Sequence, residues 1–146
     1  AADLARIGRK PNFARIHVQR RDGQLELVVL PIWGKGYQST IHAYLALRGD
    51  LMTVASLKVV EHGETPGIGA KIEDPAWQAL WPGKQLADDS GAIRLAVARG
   101  AATTVHEVDG ITGATRTGRG LTQMIRFWLG ADGYGPVLES LRSGKL

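Results

Sequence analysis

Apolar residues in the N-terminal half arrive as short period-two runs joined in pairs by turn signals, which restricts the chain to a sheet built from hairpins. Ile16 and Val18 alternate with His17 and Gln19, Arg21-Asp22-Gly23 supplies a turn, and Leu25, Leu27 and Val29 resume the alternation. Ile41 to Leu47 and Val54 to Val60 form a second pair around Arg48-Gly49-Asp50. Between the pairs, Leu30-Pro-Ile-Trp-Gly-Lys-Gly-Tyr37 holds a proline and two glycines and reads as a loop leaving the strand. Helices come late. Asp74 is suited to cap a helix begun by Pro75, with Trp77, Leu80 and Trp81 on one face up to Pro82-Gly83. Leu121, Met124, Ile125, Trp128 and Leu129 give an amphipathic helix ended by Gly130, and Val137, Leu138 and Leu141 suggest another turn or two. Ile93 to Ala98 and Thr104 to Val108 are short strand candidates. Strands in hairpins followed by helices predict an α+β fold, a single domain of antiparallel sheets with a few packed helices. Residues 1–14 read as a poorly ordered lead-in to one domain spanning 1–146.

Composition narrows the function classes. The 146 residues suffice for one buried core, and the apolar and charged fractions, 44% and 22%, are those of a globular protein. A net charge of +4 and a pI near 9.7 raise nucleic acid or an anionic surface as partners. The basic residues are scattered, apart from Arg6 to Arg21, and lack interleaved aromatics, so nucleic acid is not expected. The absence of cysteine excludes disulfides, iron–sulfur clusters and thiol catalysis. The best apolar run, Leu27 to Trp33, is interrupted by Pro31 and far short of the roughly 20 residues of a membrane helix. Because the chain begins at Ala1, an upstream segment, an anchor among the options, is expected to have been removed.

His17, His42, His62 and His106 share no metal-ligand spacing, and no metal is expected. No Gly-x-Ser-x-Gly elbow, Walker A sequence or Gly-x-Gly-x-x-Gly fingerprint is present. The segment from Asp109 to Gly120 is different in kind. It packs four glycines, three threonines and two arginines between a strand end at Val108 and the helix of Leu121 to Leu129. Small residues and a helix N-terminus make a seat for phosphate; a flexible loop with a threonine cap fits the same composition. Arg116 and Arg119 suit either phosphate neutralisation or a solvated loop. Of Trp33, Trp77, Trp81 and Trp128, three lie in apolar or helix-periodic contexts, so core packing is expected of each rather than stacking on a ligand.

Asp109-Gly110 followed by Thr112-Gly-Ala-Thr-Arg-Thr117 resembles the Ser/Thr-Gly-Ala-Thr/Ser-x-Thr flavinylation motif, with Thr112 in place of the more frequent serine. Gly34-Lys-Gly-Tyr-Gln-Ser-Thr40, Glu61-His-Gly-Glu-Thr-Pro-Gly-Ile-Gly69, Asp74-Pro-Ala-Trp77 and Trp81-Pro-Gly-Lys84 resemble the C-type subunit family of Na+-translocating NADH:quinone reductases. The related G-type subunit of electron-transport complexes shares Glu-Thr-Pro-Gly and less of its surroundings. The resemblance covers about Leu30 to Leu129. It implies FMN joined by a phosphoester to Thr117, with Asp109 belonging to the pattern read by a flavin transferase. Thr112, Gly113, Ala114, Thr115, Glu64, Thr65, Gly67 and Ile68 are implied to line the flavin site, although Thr65-Pro66-Gly67 equally reads as a plain turn. It further implies an electron carrier with no turnover of its own, partnered by other subunits of a sodium-pumping complex. That complex sits in a bacterial inner membrane, with this domain on the periplasmic side below an N-terminal membrane helix that this chain lacks. The alternatives are a flavoprotein of the G type, an interaction domain without flavin, or a noncovalent flavin reductase acting alone.

Overall fold

The computed structural model describes residues 15–145, and the expected lead-in over residues 1–14 lies outside them. Four strands, β1 (His17–Arg21), β2 (Gln24–Lys35), β3 (Thr40–Arg48) and β4 (Val54–Glu61), form one antiparallel sheet in chain order. Both hairpins form where the sequence places them, but the core face of β2 is that of Val28, Leu30 and Ile32, while Leu25, Leu27 and Val29 on the other face are only half-buried. Asp22 and Gly23, at φ 53° and 78°, turn the first, the backbone that joins two strands most tightly. In the second, the Asp50 carboxylate accepts the Met52 and Thr53 amides and the Thr53 hydroxyl.

One face of the sheet is the core. Val28, Leu30 and Ile32 of β2, Ile41, Leu45 and Leu47 of β3, and Leu57 of β4 are buried. Against them lies the helix α2 (Thr115–Leu129) with Leu121, Met124, Ile125, Trp128 and Leu129, the expected stripe. The helix rests backbone on backbone: a Cβ on Gly120 would come 2.4 Å from the Lys35 carbonyl oxygen. Gly120→Ala is therefore expected to lower unfolding stability by about 1–3 kcal/mol, despite alanine's better helix propensity. Urea unfolding checks this, with Gly100→Ala, where a Cβ meets nothing, as the neutral control.

Two expectations are corrected. The stretch Leu30 to Lys35 is not a loop; β2 runs through it and pairs Pro31 with Tyr44. Proline is tolerated because the β1 partners of β2 end at Val29, so no ladder amide is asked of it there. Its carbonyl accepts the Tyr134 hydroxyl from the start of α3 (Gly135–Arg142). The flavinylation stretch is likewise not all loop, since α2 begins at Thr115, six residues before its apolar stripe. Gly118 lies beneath Val97, and the Thr122 hydroxyl accepts the Val97 amide at 2.9 Å. Packing thus overrides the low helix propensity of this glycine-rich turn.

The remaining elements are short. A 3₁₀ turn (Gly69–Glu73) leads into α1 (Pro75–Gln78), whose N-cap Asp74 accepts the Ala76 amide as expected. The two C-terminal strand candidates shrink to β5 (Ala96–Val97) and β6 (Glu107–Val108), which pair in parallel. Among the described residues no helix is long and apolar enough to cross a membrane.

Candidate functional site

The site forms where three separated segments meet: the turn after β2, the segment after β4, and the first turn of α2. The Gly36 amide bonds the Ser39 carbonyl and closes the first of these. That turn points two amides and a hydroxyl at Glu64, whose carboxylate accepts Tyr37 N at 2.7 Å, Gln38 N at 3.0 Å and Ser39 Oγ at 2.5 Å. From the opposite side the Thr117 hydroxyl donates to Glu64 Oε1 at 2.8 Å. Both side chains are buried, Glu64 4% and Thr117 3% exposed. Burial alone pushes the Glu64 carboxyl up. The four donors, Ser39 and Tyr37 foremost, outweigh it and hold the group below the usual glutamate value. Behind it, the Glu64 amide donates to His62 Nδ1, which leaves Nε2 as the donor to Glu73 at 3.1 Å.

Thr117 opens on a cleft of about 350 Å³ lined also by Tyr37, Thr65, Ile68, Gly69, Gly113, Ala114, Thr115 and Arg116. The first turn of α2 makes one wall, with Ala114 at its N-cap and no side chain capping it, so this end remains available to an anion. The Arg116 guanidinium lies 5.0 Å above the Tyr37 ring and belongs to the same wall. Arg119 faces an adjoining hollow of about 470 Å³ with Lys35 and Gln123.

The structure thus gathers Thr65, Ile68, Gly113, Ala114, Thr115 and Thr117 around one cleft, with Glu64 behind it. It places three expected residues elsewhere. Gly67, at φ 76°, is the corner of a turn closed by Ile68 N to Thr65 O, and lies on another face; the turn reading describes it. Thr112 is exposed outside the cleft. Asp109 is exposed too, its carboxylate accepting the Ala102 amide and its carbonyl accepting Trp77 Nε1. Tyr37, Gly69 and Ser39 carry parts of the site that sequence reasoning did not assign. Their only signal was the Gly34 to Thr40 motif and the glycine ending Glu61 to Gly69. Trp77, Trp81 and Trp128 are buried in the core and Trp33 packs against it. Among the described residues no three His, Asp or Glu side chains converge on a metal position.

A cofactor-sized cleft at a helix N-terminus is compatible with many phosphorylated ligands. The profile of the FMN-binding domain family matches residues 36–130, a span containing every residue of the cleft. The chain belongs to that family. It is 41% identical to the C-type subunit of the Na+-translocating NADH-quinone reductase of Pseudomonas aeruginosa, over 99% of this chain and 58% of that protein. It is 44% identical to the corresponding subunit of Yersinia pestis, over 100% of this chain and 56% of that one. The chain therefore spans somewhat more than half the length of these curated relatives. The crystal structure of Shewanella oneidensis NqrC superposes with a TM-score of 0.92 at 41% identity, covering 97% of this chain and 67% of that one. The family resemblance carried by the motifs, and the α+β fold, are both borne out.

Proposed function

We propose that this chain carries FMN through a phosphoester at Thr117 Oγ1 and serves as an electron carrier in a Na+-translocating NADH:quinone reductase. One observation carries the reading: of the three motif threonines, only Thr117 is a buried hydroxyl at the cleft, held at the positive end of α2. The residues fit the group. A Cβ at Gly69 would stand 2.6 Å from Thr117 Oγ1, so glycine keeps the space around that oxygen clear. Arg116 and the uncapped helix end supply positive charge for a phosphate. FMN supplies the redox chemistry; the chain binds and orients it. Tyr37 and Ile68, 47% and 42% exposed at the rim, offer apolar surface to a ring system leaving the cleft.

The partners follow as part of the proposal: other subunits of the membrane complex, a flavin transferase for maturation, and an N-terminal membrane helix that holds the domain on the periplasmic side. The isolated chain is expected to show no NADH turnover. Treating the purified protein with a flavin transferase and a flavin dinucleotide should raise its intact mass by one FMN less one water. An unchanged mass with an active transferase would sink the proposal.

A further inference from the structure

We propose, resting on attachment at Thr117, that Glu64 is the base for it: its carboxylate aligns the Thr117 hydroxyl and takes its proton as the bond to phosphorus forms. A threonine hydroxyl is a weak nucleophile unless an adjacent group removes its proton. On a helix it usually turns back to a carbonyl four residues earlier, as Thr122 Oγ1 does to Gly118 O at 3.0 Å. Thr117 instead points its hydrogen across a gap of 53 residues in sequence, to Glu64 Oε1. The lone pairs of Oγ1 are thereby left for an electrophile, on an oxygen around which Gly69 keeps space.

The carboxylate is built for one orientation. Tyr37 N, Gln38 N and Ser39 Oγ occupy its other acceptor positions and favour the ionised form. Its placement is costly once the ester exists. The ester oxygen has no hydrogen to donate, and a phosphate charge then stands beside a buried carboxylate. A group serving only the finished flavoprotein would be neutral or positive there. A group serving the attachment step is negative, as this one is.

In that step Thr117 Oγ1 forms a bond to the FMN phosphorus of a flavin dinucleotide, and the bond from that phosphorus to the bridging oxygen breaks. Its electron pair leaves on the nucleoside monophosphate, and the Oγ1 proton passes to Glu64 Oε1 and then to water.

The test follows attachment in time on the purified full chain, with transferase and flavin dinucleotide, by intact mass. Glu64→Gln should slow attachment by about 100-fold or more, the usual share of a general base. Because hydroxide must then take the proton, the wild-type to Glu64→Gln rate ratio should fall about tenfold per pH unit upward. The titratable and charged groups facing Glu64, His62 behind it with Glu73 beyond and Tyr37, Arg116, Lys35 and Arg119 around the cleft, are the same residues in both proteins, so the carboxylate is the one group exchanged between the two profiles. Ser39→Ala, which strips one donor from the same carboxylate but leaves it in place, should cost less than about tenfold and give a pH-independent ratio. If Glu64→Gln is poorly folded by circular dichroism, Glu64→Asp replaces it, with a carboxylate drawn back from Oγ1 and an expected loss of about tenfold or more. Attachment to either Glu64 variant at the wild-type rate, or a flat ratio for Glu64→Gln, overturns the assignment. Mass gain surviving in Thr117→Ala, or absent from the wild type, overturns the attachment reading itself.

Discussion

Thr117→Ala is expected to stay at its unmodified mass after treatment with flavin transferase, while Thr115→Ala gains FMN and Thr117→Ser regains it. All three positions of the motif bear hydroxyls, so the discrimination must come from placement. Thr112 lies outside the cleft and Thr115 is exposed at its rim. Only the Thr117 hydroxyl is buried, hydrogen-bonded to a carboxylate and seated against a glycine. The loss in Thr117→Ala would not be a folding effect. Deleting one hydroxyl removes a hydrogen bond to a carboxylate worth about 1.5–3 kcal/mol and leaves that carboxylate its three other donors, a loss below the roughly 5–15 kcal/mol that holds a domain of this size together. Circular dichroism should therefore match the wild type. A yellow, mass-shifted Thr117→Ala would move the attachment point to another side chain and leave the buried hydroxyl without a function.

The hairpins were legible through their turn signals and the alternation of Leu25, Leu27 and Val29, but the buried face of β2 was not, because Val28, Leu30 and Ile32 stand in an apolar run whose neighbours Val29, Pro31 and Trp33 hide the period. The core face of α2 was legible from its 3.6-residue period. Illegible were the places where a distant segment decides the local structure. Pro31 signals a strand end, and it is the end of β1 pairing that lets β2 pass through. Gly118 and Gly120 signal loop, and contacts with Val97 and Lys35 make them helical. The Thr117 end of the site was visible through the motif. Its partner arrangement was not, since no spacing rule connects the amides of Tyr37 and Gln38 to Glu64, or Glu64 to a hydroxyl on a helix 53 residues on. Asp109 and Gly67 mark the converse: residues of the motifs that stay out of the cleft, Asp109 holding the Ala102 amide and Gly67 turning the chain on another face.

Trp128→Ala should be the most destabilising single truncation on α2, by about 3–5 kcal/mol, or roughly 10–20 °C in Tm. The indole is 2% exposed and joins three elements. Its ring lies 4.3 Å from Trp33 of β2 and 5.3 Å from Tyr134 at the start of α3, and its Nε1 donates to the Trp33 carbonyl at 2.8 Å. Removing it leaves a cavity between packed aromatics and takes the indole donor from the part-buried Trp33 carbonyl. Urea unfolding should show the loss as a lower midpoint at unchanged slope. The site should nevertheless survive, because its end of α2 is fixed by different contacts: Gly120 on β2, Thr122 on Val97, and Thr117 on Glu64. In the cold, where the variant remains folded, flavin attachment is therefore expected at close to the wild-type rate. Attachment falling with stability even in the folded protein would show that the aromatic cluster positions Thr117 through the length of the helix. That result would transfer the orienting role from the Glu64 pocket to the packing of α2 as a whole.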